Sequence, residues 1–272
     1  MRELDTGTPD LAGAVEGGVA VLTMSRPERR NALSPQMLTA LAEQLVAVEA
    51  DPEVGCVVLT GAGKAFCAGG DVKRFAAAGE EPVRPSFEER LTRQREGHRR
   101  TALKLYELRK PTIAMINGAA AGAGFSLALA CDLRYAADSA VLTTAFAKVG
   151  LAGDYGGTWF LTRLVGTAKA RELYYFSDRI GAAQAERLGI VNGVFEADKL
   201  REQVLDLARR LATGPAVAYR YMKENLNRAV TGSLAETLDI EAVHHQRTFD
   251  TDDHREAAAA FVDKREPRFT GR

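Results

Sequence analysis

The stretch NGAAAGAGFSLALACD, residues 117–132, joins a strand-like run to a helix-like run through a turn of Gly and Ala. The apolar run TIAMI, residues 112–116, comes before it, and the turn leads into the apolar residues 125–131. Because the side chains at this turn are small, a ligand can approach the main chain closely, and the N–H groups that open a helix carry about half a unit of positive charge. Tight packing is the alternative interpretation of the same residues.

A second stretch has the same character. Residues 55–72, GCVVLTGAGKAFCAGGDV, also pass from an apolar strand through small residues. Two such turns, one after each strand, can present two main-chain N–H donors to a single oxygen. This is the geometry of an oxyanion hole, in which each donor contributes a factor of ~10²–10³ in rate.

Length and charge define the class of protein. A chain of 272 residues with 46% hydrophobic content buries a large core, with one main domain and an appendage. Its 36 basic and 36 acidic residues cancel, and no basic block suits a phosphate backbone, which argues against nucleic acid as a partner. The first residues lack a signal-peptide pattern, and no run approaches ~18 apolar residues. The sequence therefore predicts a soluble cytoplasmic protein that does not enter a membrane.

No metal site is predicted. The cysteines lack metal-ligand spacing, and apolar or Gly-rich surroundings indicate buried, reduced thiols for all three, Cys56, Cys67 and Cys131. Adjacent histidines on a helix point in different directions, so surface positions are expected for His244 and His245, and for the nearby His254.

The pattern of elements indicates an α/β fold. Ser34 and Pro35 form an N-cap and first helical position, and the helix they open should stop at Asp51. Strands are predicted at residues 18–25, 56–59, 112–116, 133–137, 141–142 and 146–150. Helices are predicted at 98–108, 158–164, 167–176 and 182–188, and over most of 197–264. Repeated strand-strand-helix units followed by helices predict a spiral core at 1–196 and a helical region at 197–272.

Five motifs, in this order, resemble the crotonase, or enoyl-CoA hydratase/isomerase, superfamily: RPERRNALS (26–34), LTGAGKAFCAGGDVK (59–73), KPTIAMINGAAAGAGFSLALACDLRYAA (110–137), GLAGDYGGTWFLTRLVG (150–166) and AFVDKREPRF (260–269). The resemblance implies a crotonase-type spiral of β-β-α units with a C-terminal helical trimerisation region. It implies an acyl-CoA thioester substrate, with coenzyme A as part of the substrate and no prosthetic group. It further implies a homotrimer, or a hexamer made of two trimers.

The resemblance also assigns individual residues. The two oxyanion-hole N–H groups fall on Ala68 and Ala123, and Ala123 stands where the family usually has Gly. Hydratases of the family use two glutamates, whose positions are occupied here by Ser126 and Phe146. Neither is a carboxylate, so the two-glutamate hydratase mechanism is not available to this chain.

Asp154 matches a catalytic aspartate of isomerases in the family and of related aromatic acyl-CoA dehalogenases. As a general base it would shift a double bond, and as a nucleophile it would need partners that the sequence does not identify. A turn of the type Gly-Asp-Tyr-Gly also uses Asp to hydrogen-bond its own backbone, which is the structural alternative. His98 is a further candidate acid or base.

The family pattern places the coenzyme A contacts on two parts of the chain. Nucleotide and pantetheine contacts are expected from Arg30, Ala32, Ala68, Asp71 and Val72. Phe261 and Lys264 match residues that close over the coenzyme A of an adjacent subunit. Residues 73–97 contain Gly, two prolines and many charges, and predict either a solvated surface loop or a flap over the acyl chain.

Three functions are consistent with these residues. The first is an acyl-CoA double-bond isomerase that uses Asp154. The second is a divergent enoyl-CoA hydratase or acyl-CoA hydrolase, in which Asp154 positions water and Ser126 assists. The third is a non-catalytic acyl-CoA-binding protein that has the fold without the chemistry.

Overall fold

The computed structural model describes residues 1–71 and 85–272, and its strands form two β-sheets. The larger sheet of the described residues contains β1 (Arg2–Leu4), β2 (Leu11–Glu16), β3 (Val19–Met24), β4 (Cys56–Gly61), β6 (Thr112–Ile116), β8 (Leu133–Ala137) and β11 (Gly193–Phe195), in that spatial order. β1 to β3 pair antiparallel, and β3 to β11 pair parallel. Every residue of β4 and β6 is buried, as expected for parallel strands covered on both faces.

The smaller sheet consists of very short strands. It contains β5 (Ala65–Cys67), β7 (Ala119–Ala121), β9 (Val141–Thr143) and β10 (Ile180–Gly181). β5, β7 and β9 run parallel, and β10 pairs antiparallel with β9 at one edge. Each of the first three follows directly after a long strand of the larger sheet, so the two sheets are built together by successive turns of the chain.

The helices follow these strand pairs. They are α1 (Pro35–Ala50), α2 (Phe87–His98), α3 (Lys104–Glu107), α4 (Ala123–Ala130), α5 (Gly157–Phe176), α6 (Ala182–Arg187), α7 (Leu200–Ala212), α8 (Ala216–Ala229), α9 (Leu234–Phe249) and α10 (Asp252–Asp263). The units β6-β7-α4 and β8-β9-α5 show the predicted strand-strand-helix repeat. That organisation is confirmed.

Local chemistry explains where α1 begins and ends. The Oγ atom of Ser34 accepts a hydrogen bond from the N–H of Met37 at 3.1 Å, and Pro35 is the first helical residue. The helix stops before Asp51, which has an extended backbone. Both predicted boundaries are confirmed.

Helix α4 lies at the centre of the molecule, and all eight of its residues are buried. A Cβ atom placed on Gly124 would lie 2.5 Å from the carbonyl oxygen of Cys67 and 2.6 Å from its Sγ atom. Only glycine therefore allows the start of α4 to pack directly on the end of β5.

Two predicted elements need correction. Residues 146–150 are not a strand, because the carbonyl of Phe146 accepts from the N–H of Leu151 at 3.0 Å and Ala147–Val149 form a 3₁₀ turn. The helix predicted to begin at 98 begins at Phe87, where Ser86 and Glu89 form a capping box. The two helices predicted at 158–164 and 167–176 are confirmed, because Gly166, with φ of 76° and ψ of 165°, is non-helical and divides α5 into two helical segments.

The C-terminal helices differ in their contacts. α7 packs on the larger sheet through Val204 and Ala208, both fully buried. α8, α9 and α10 keep several large apolar side chains exposed, among them Met222, Leu226 and Leu238. The division into regions 1–196 and 197–272 stays a prediction. Within residues 1–71 and 85–272, no helix is both long and apolar enough to cross a membrane.

Candidate active site

The two Gly/Ala turns lie side by side. A Cβ atom placed on Gly69 would lie 2.6 Å from the carbonyl oxygen of Ala121 and 3.2 Å from the main-chain nitrogen of Ala123. The second turn, after β5, therefore touches the first turn, between β7 and α4. This is the proximity that an oxyanion hole made from both turns requires.

Ala123 is the first residue of α4, so its N–H has no acceptor within the helix. Gly122 before it takes the unusual backbone angles, φ 52° and ψ −126°, while Ala123 is not among the residues with positive φ. A Cβ is therefore tolerated at Ala123, although the family usually has Gly there. The helix dipole adds positive potential at this N–H.

The other predicted donor, the N–H of Ala68, has a partner within the protein. The N–H of Ala68 donates to the carbonyl of Arg30 at 2.9 Å, so it is already used within the protein. The N–H of Gly69 lies 3.4 Å from Sγ of Cys67. Gly70 is the next residue, and its N–H donates to no described residue. We therefore infer that Gly70, two positions beyond the predicted residue, is the second donor.

Two asparagines, the buried Asn31 and the half-buried Asn117, hold the segment that leads into this turn, and neither is among the predicted site residues. Nδ2 of Asn31 donates to the carbonyls of Ala62 and Ala65 at 2.9 and 2.7 Å. Nδ2 of Asn117 donates to the carbonyls of Gly61 and Gly63, both at 2.9 Å. Asn117 comes directly before a small-residue segment, whereas Asn31 lies 31–35 positions before the carbonyls that it holds. An Asn in a loop is too common to single out.

Ser126 and Phe146, which occupy the two hydratase glutamate positions, lie beside the two turns. Neither side chain can act as an acid or a base as a glutamate does. Oγ of Ser126 donates to the carbonyl of Gly122 at 3.2 Å. The ring of Phe146 stacks on Tyr174, with centroids 5.9 Å apart and an interplanar angle of 8°, and its edge would lie 3.8 Å from a Cβ on Gly122. Burial, and next the charge of Asp154, raise the pKa of the Tyr174 phenol, so this hydroxyl stays protonated.

Asp154 is held through one of its two carboxylate oxygens. Oδ1 accepts hydrogen bonds from Nε2 of Gln94 at 3.1 Å and from the N–H of Tyr155 at 3.0 Å, and it also contacts Nε2 of His98. Oδ2 accepts no hydrogen bond from the described residues. The turn interaction expected of an Asp is present, but the contacts from Gln94 and His98 go beyond it.

The loop with Asp154 is tied to helix α4. The N–H of Gly157 donates to the carbonyl of Asp154 at 3.1 Å. A Cβ on Gly157 would lie 2.3 Å from Oγ of Ser126 and 2.6 Å from the hydroxyl of Tyr174. Glycine at this position therefore brings the aspartate loop against the helix that starts at Ala123.

A cavity of about 410 Å³ is lined by His98 and Tyr155, two of the residues that contact Asp154. Aromatic rings form much of its wall: His98, Tyr106, Tyr155, Trp159 and Phe160. Tyr155 has φ of 50° and is 8% exposed, and burial together with the charge of Asp154 raises the pKa of its phenol. The cavity wall is therefore mainly apolar and aromatic, with the neutral phenol of Tyr155 and the side chain of Arg99 as polar groups.

The residues predicted to contact coenzyme A fall in two groups. Arg30 is exposed with φ of 52°, the carbonyl of Ala32 accepts from Nη1 of Arg26 at 2.7 Å, and Asp71 forms an ion pair with Nη2 of Arg26 at 3.6 Å. These residues lie with Ala68 along the second turn. Val72 falls outside the described residues. Phe261 (86% exposed) and Lys264 are at the C-terminal end of α10, on the surface of the chain.

The remaining polar candidates are structural. Burial raises the pKa of all three thiols, Cys56, Cys67 and Cys131, to about 12, which fits the predicted buried thiols.

His244 is buried against Tyr221 and bonded to Asn225, so its predicted surface position is wrong, while His245 and His254 are exposed. The described part of the chain contains no group of three His, Cys, Asp or Glu residues suited to a metal.

Comparison with known proteins agrees with this architecture. A family model described as enoyl-CoA hydratase/isomerase matches residues 14–272. The chain is 39% identical over 258 residues to 1,2-epoxyphenylacetyl-CoA isomerase of Escherichia coli (strain K12), covering 95% of this chain and 97% of that protein. It is 37% identical over 261 residues to a protein of Rhodobacter capsulatus named "Probable enoyl-CoA hydratase", covering 95% and 96%.

Solved structures give the same result. The crystal structure of an enoyl-CoA hydratase from Polaromonas sp. JS666 superposes with a TM-score of 0.89 at 39% identity, covering 95% of this chain and 99% of that one. An enoyl-CoA hydratase from Bacillus anthracis gives 0.89 at 32% identity, covering 97% and 100%. The predicted crotonase-type α/β fold with a C-terminal helical region is confirmed. The chain belongs to the enoyl-CoA hydratase/isomerase family of the crotonase superfamily.

Proposed function

We propose that this protein moves a double bond in an unsaturated acyl-CoA, with Asp154 as the acid and base. The observation that carries the proposal is the state of Asp154: Oδ1 is anchored by Gln94 and Tyr155, and Oδ2 has no partner among the described residues. A base with one fixed and one open oxygen, next to an apolar cavity, suits the removal of a proton from carbon.

The reaction needs one base. Oδ2 of Asp154 takes a proton from C2 of a 3-enoyl thioester, and the electron pair spreads over the double bond and the thioester carbonyl. The N–H groups of Gly70 and Ala123 stabilise the negative charge on the thioester oxygen. The same carboxyl then returns the proton to C4, which leaves the double bond between C2 and C3. The proton count balances, and the reaction requires no prosthetic group.

Isomerisation is favoured over hydration because of the residues at the two glutamate positions. Adding water across a double bond benefits from a second acid or base, whereas Ser126 donates to a main-chain carbonyl and Phe146 is an aromatic packing residue. The names of the relatives include both reactions, and the relative that is 39% identical is named an isomerase.

The aromatic lining of the cavity supports a ring-containing acyl group as the substrate. Its wall carries aromatic side chains, and aromatic pairs prefer edge-to-face or offset contacts, which a flat ring can make with several partners at once. Tyr106 and Trp159 already meet edge-on, with centroids 5.2 Å apart. The E. coli relative is named for a phenylacetyl-derived substrate. We therefore propose a cyclic or aryl-derived acyl-CoA over a long straight chain.

Coenzyme A would bind along the second turn, with contacts from Arg30, Ala32 and Asp71 and from Val72 beyond the described segment. We further propose a homotrimer, or a hexamer of two trimers, in which Phe261 and Lys264 close over the coenzyme A of a neighbouring copy. The exposed apolar side chains of α8 and α9 support assembly through the C-terminal helices. The proposed location is the cytoplasm.

The test is incubation in heavy water with matched 2-enoyl-CoA and 3-enoyl-CoA substrates, aliphatic and aryl-substituted, followed by mass spectrometry. Deuterium incorporation with a shifted double bond is expected, and Asp154→Asn should abolish it while coenzyme A binding is retained. Asp178→Asn, at a carboxylate that is 78% exposed, is the matched control and should behave like the unmodified protein.

Other outcomes identify the alternatives. Gain of one water molecule would mean a divergent hydratase, and release of free coenzyme A would mean a hydrolase. Exchange that persists at full rate in Asp154→Asn would refute the assigned base. Tight thioester binding without turnover of any of the substrates would support the acyl-CoA-binding protein.

A further inference from the structure

One helix presents two side chains to Asp154. Gln94 and His98 are four residues apart on α2 and therefore lie on the same face of the helix. Nε2 of Gln94 donates to Oδ1 of Asp154 at 3.1 Å, and Nε2 of His98 lies against the same oxygen. The aspartate and the helix are far apart in sequence, so these two contacts join separate parts of the chain.

His98 is held in a specific position. Its ring packs against Tyr155, with centroids 4.6 Å apart and planes tilted by 55°. Its Nε2 atom is buried, and its contact with Oδ1 does not have the alignment of a regular hydrogen bond. A buried nitrogen of this kind is costly unless it serves a partner, and the carboxylate of Asp154 is the partner in contact with it.

The backbone changes where His98 ends α2. The following residues, Arg99–Leu103, form a single π-helical turn before α3 begins. Such turns disrupt the regular hydrogen-bond ladder and occur frequently at functional sites. Ala102 and Leu103 of this turn line the same cavity as His98, so the irregular turn forms one wall of that cavity.

These contacts have a chemical consequence for the proposed reaction. Three groups converge on Oδ1 of Asp154: the side chains of Gln94 and His98 and the N–H of Tyr155. A proton taken from the substrate is therefore directed to Oδ2, the oxygen that the described residues leave open. Rotation of the carboxyl group would break all three contacts, so the acid form keeps its proton facing the substrate.

We propose that His98 is a positioning residue for Asp154. Its Nε2 lies against Oδ1 and donates to it once the two groups are aligned in the substrate complex, which keeps Oδ2 directed at the reacting carbons. Its ring forms a wall of the cavity. This inference rests on the proposed function, because it assigns how the proposed base is oriented.

The test compares two substitutions at the same position. His98→Phe keeps a flat ring against Tyr155 but removes the N–H, whereas His98→Gln keeps an N–H donor at a similar reach. We expect His98→Phe to lower kcat ~10- to 100-fold, which is the factor that corresponds to the loss of one charge-assisted hydrogen bond. KM should be nearly unchanged. The kcat of His98→Gln should lie about 10-fold above that of His98→Phe. His245→Phe, at an exposed histidine, is the matched control for the substitution itself.

Circular dichroism and thioester binding establish that each variant is folded. A folded His98→Phe with unchanged kcat overturns the inference. So does a His98→Gln that loses as much kcat as His98→Phe, because the donor would then not be what matters. Asp154→Asn is measured in parallel. If Asp154→Asn is inactive while His98→Phe is active, only the inference on His98 fails. If Asp154→Asn is active, the proposed function itself fails.

Discussion

Gly124→Ala is expected to damage both stability and catalysis, since Gly124 is where helix α4 meets strand β5. The added Cβ would lie 2.5 Å from the carbonyl oxygen of Cys67, and real Cβ contacts essentially never fall under 3.0 Å. The contact must therefore lengthen by about 0.5–0.9 Å to reach 3.0–3.4 Å, the range of tight contacts. Because the oxygen belongs to the main chain, a side-chain rotation does not relieve it.

Two effects follow from this displacement. Overpacking of a core costs ~1–3 kcal/mol, and in a chain of this length each kcal/mol shifts Tm by roughly 2–4 °C. The same movement separates the turn that contains Gly70 from Ala123. A misplacement of about 1 Å costs up to ~10²-fold in rate, so we expect kcat to fall ~10- to 100-fold.

Thermal unfolding and steady-state kinetics check both effects. Gly97→Ala is the control, because a Cβ on Gly97 meets nothing within 4 Å and its place in α2 favours Ala over Gly by up to ~1 kcal/mol. The two Gly→Ala variants should thus shift Tm in opposite directions. A Gly124→Ala protein with the original Tm and kcat would refute the close packing of α4 on β5.

Three other predictions concern the framework. Ser34→Ala removes the cap of α1 and should lower the free energy of unfolding by ~0.5–2 kcal/mol in chemical denaturation. Asn31→Ala leaves buried carbonyls without their donor and should cost ~1–3 kcal/mol and lower kcat, whereas an unchanged kcat would contradict its role in holding the turn. The pKa of the buried thiols, about 12 in the native protein, exceeds the ordinary value of 9.0. Unfolded thiols lose protons first as pH rises, so stability should fall between pH ~9 and ~12, and Cys56, Cys67 and Cys131 should resist thiol reagents at pH ~8 until the protein unfolds.

Much of the fold could be predicted from local signals. The apolar runs of β4 and β6 and the Ser34 cap of α1 are properties of short segments, and each was found where predicted. The smaller sheet could not be predicted, because strands of two or three small residues have no periodicity to detect. α2 was predicted to start late because its composition is strongly charged, although its capping box at Ser86 was readable in the sequence.

A site residue could be predicted when its own residue type indicates its chemistry. Contacts between residues that are far apart in the sequence could not be predicted. Asp154 was identified by resemblance, but its contacts with Gln94 and His98 span 60 and 56 positions of the chain, which no local pattern encodes. The partner of the Ala68 N–H could not be predicted for a similar reason. Whether that N–H is free depends on the carbonyl of Arg30, which the left-handed backbone at Arg30 directs toward it.

The oxyanion donors inferred here, Gly70 and Ala123, belong to the main chain, and this affects how the protein responds to mutation. Replacing a side chain does not remove a peptide N–H, and proline is the one common amino acid that lacks it. Asp154, in contrast, loses its carboxylate with almost any substitution. In the proposed mechanism, charge stabilisation thus depends on main-chain groups that most substitutions leave in place, and the reaction type depends on the side chain of Asp154. Exchanging residues at 126, 146 and 154 should therefore allow new reactions to be selected on this scaffold without rebuilding its thioester site.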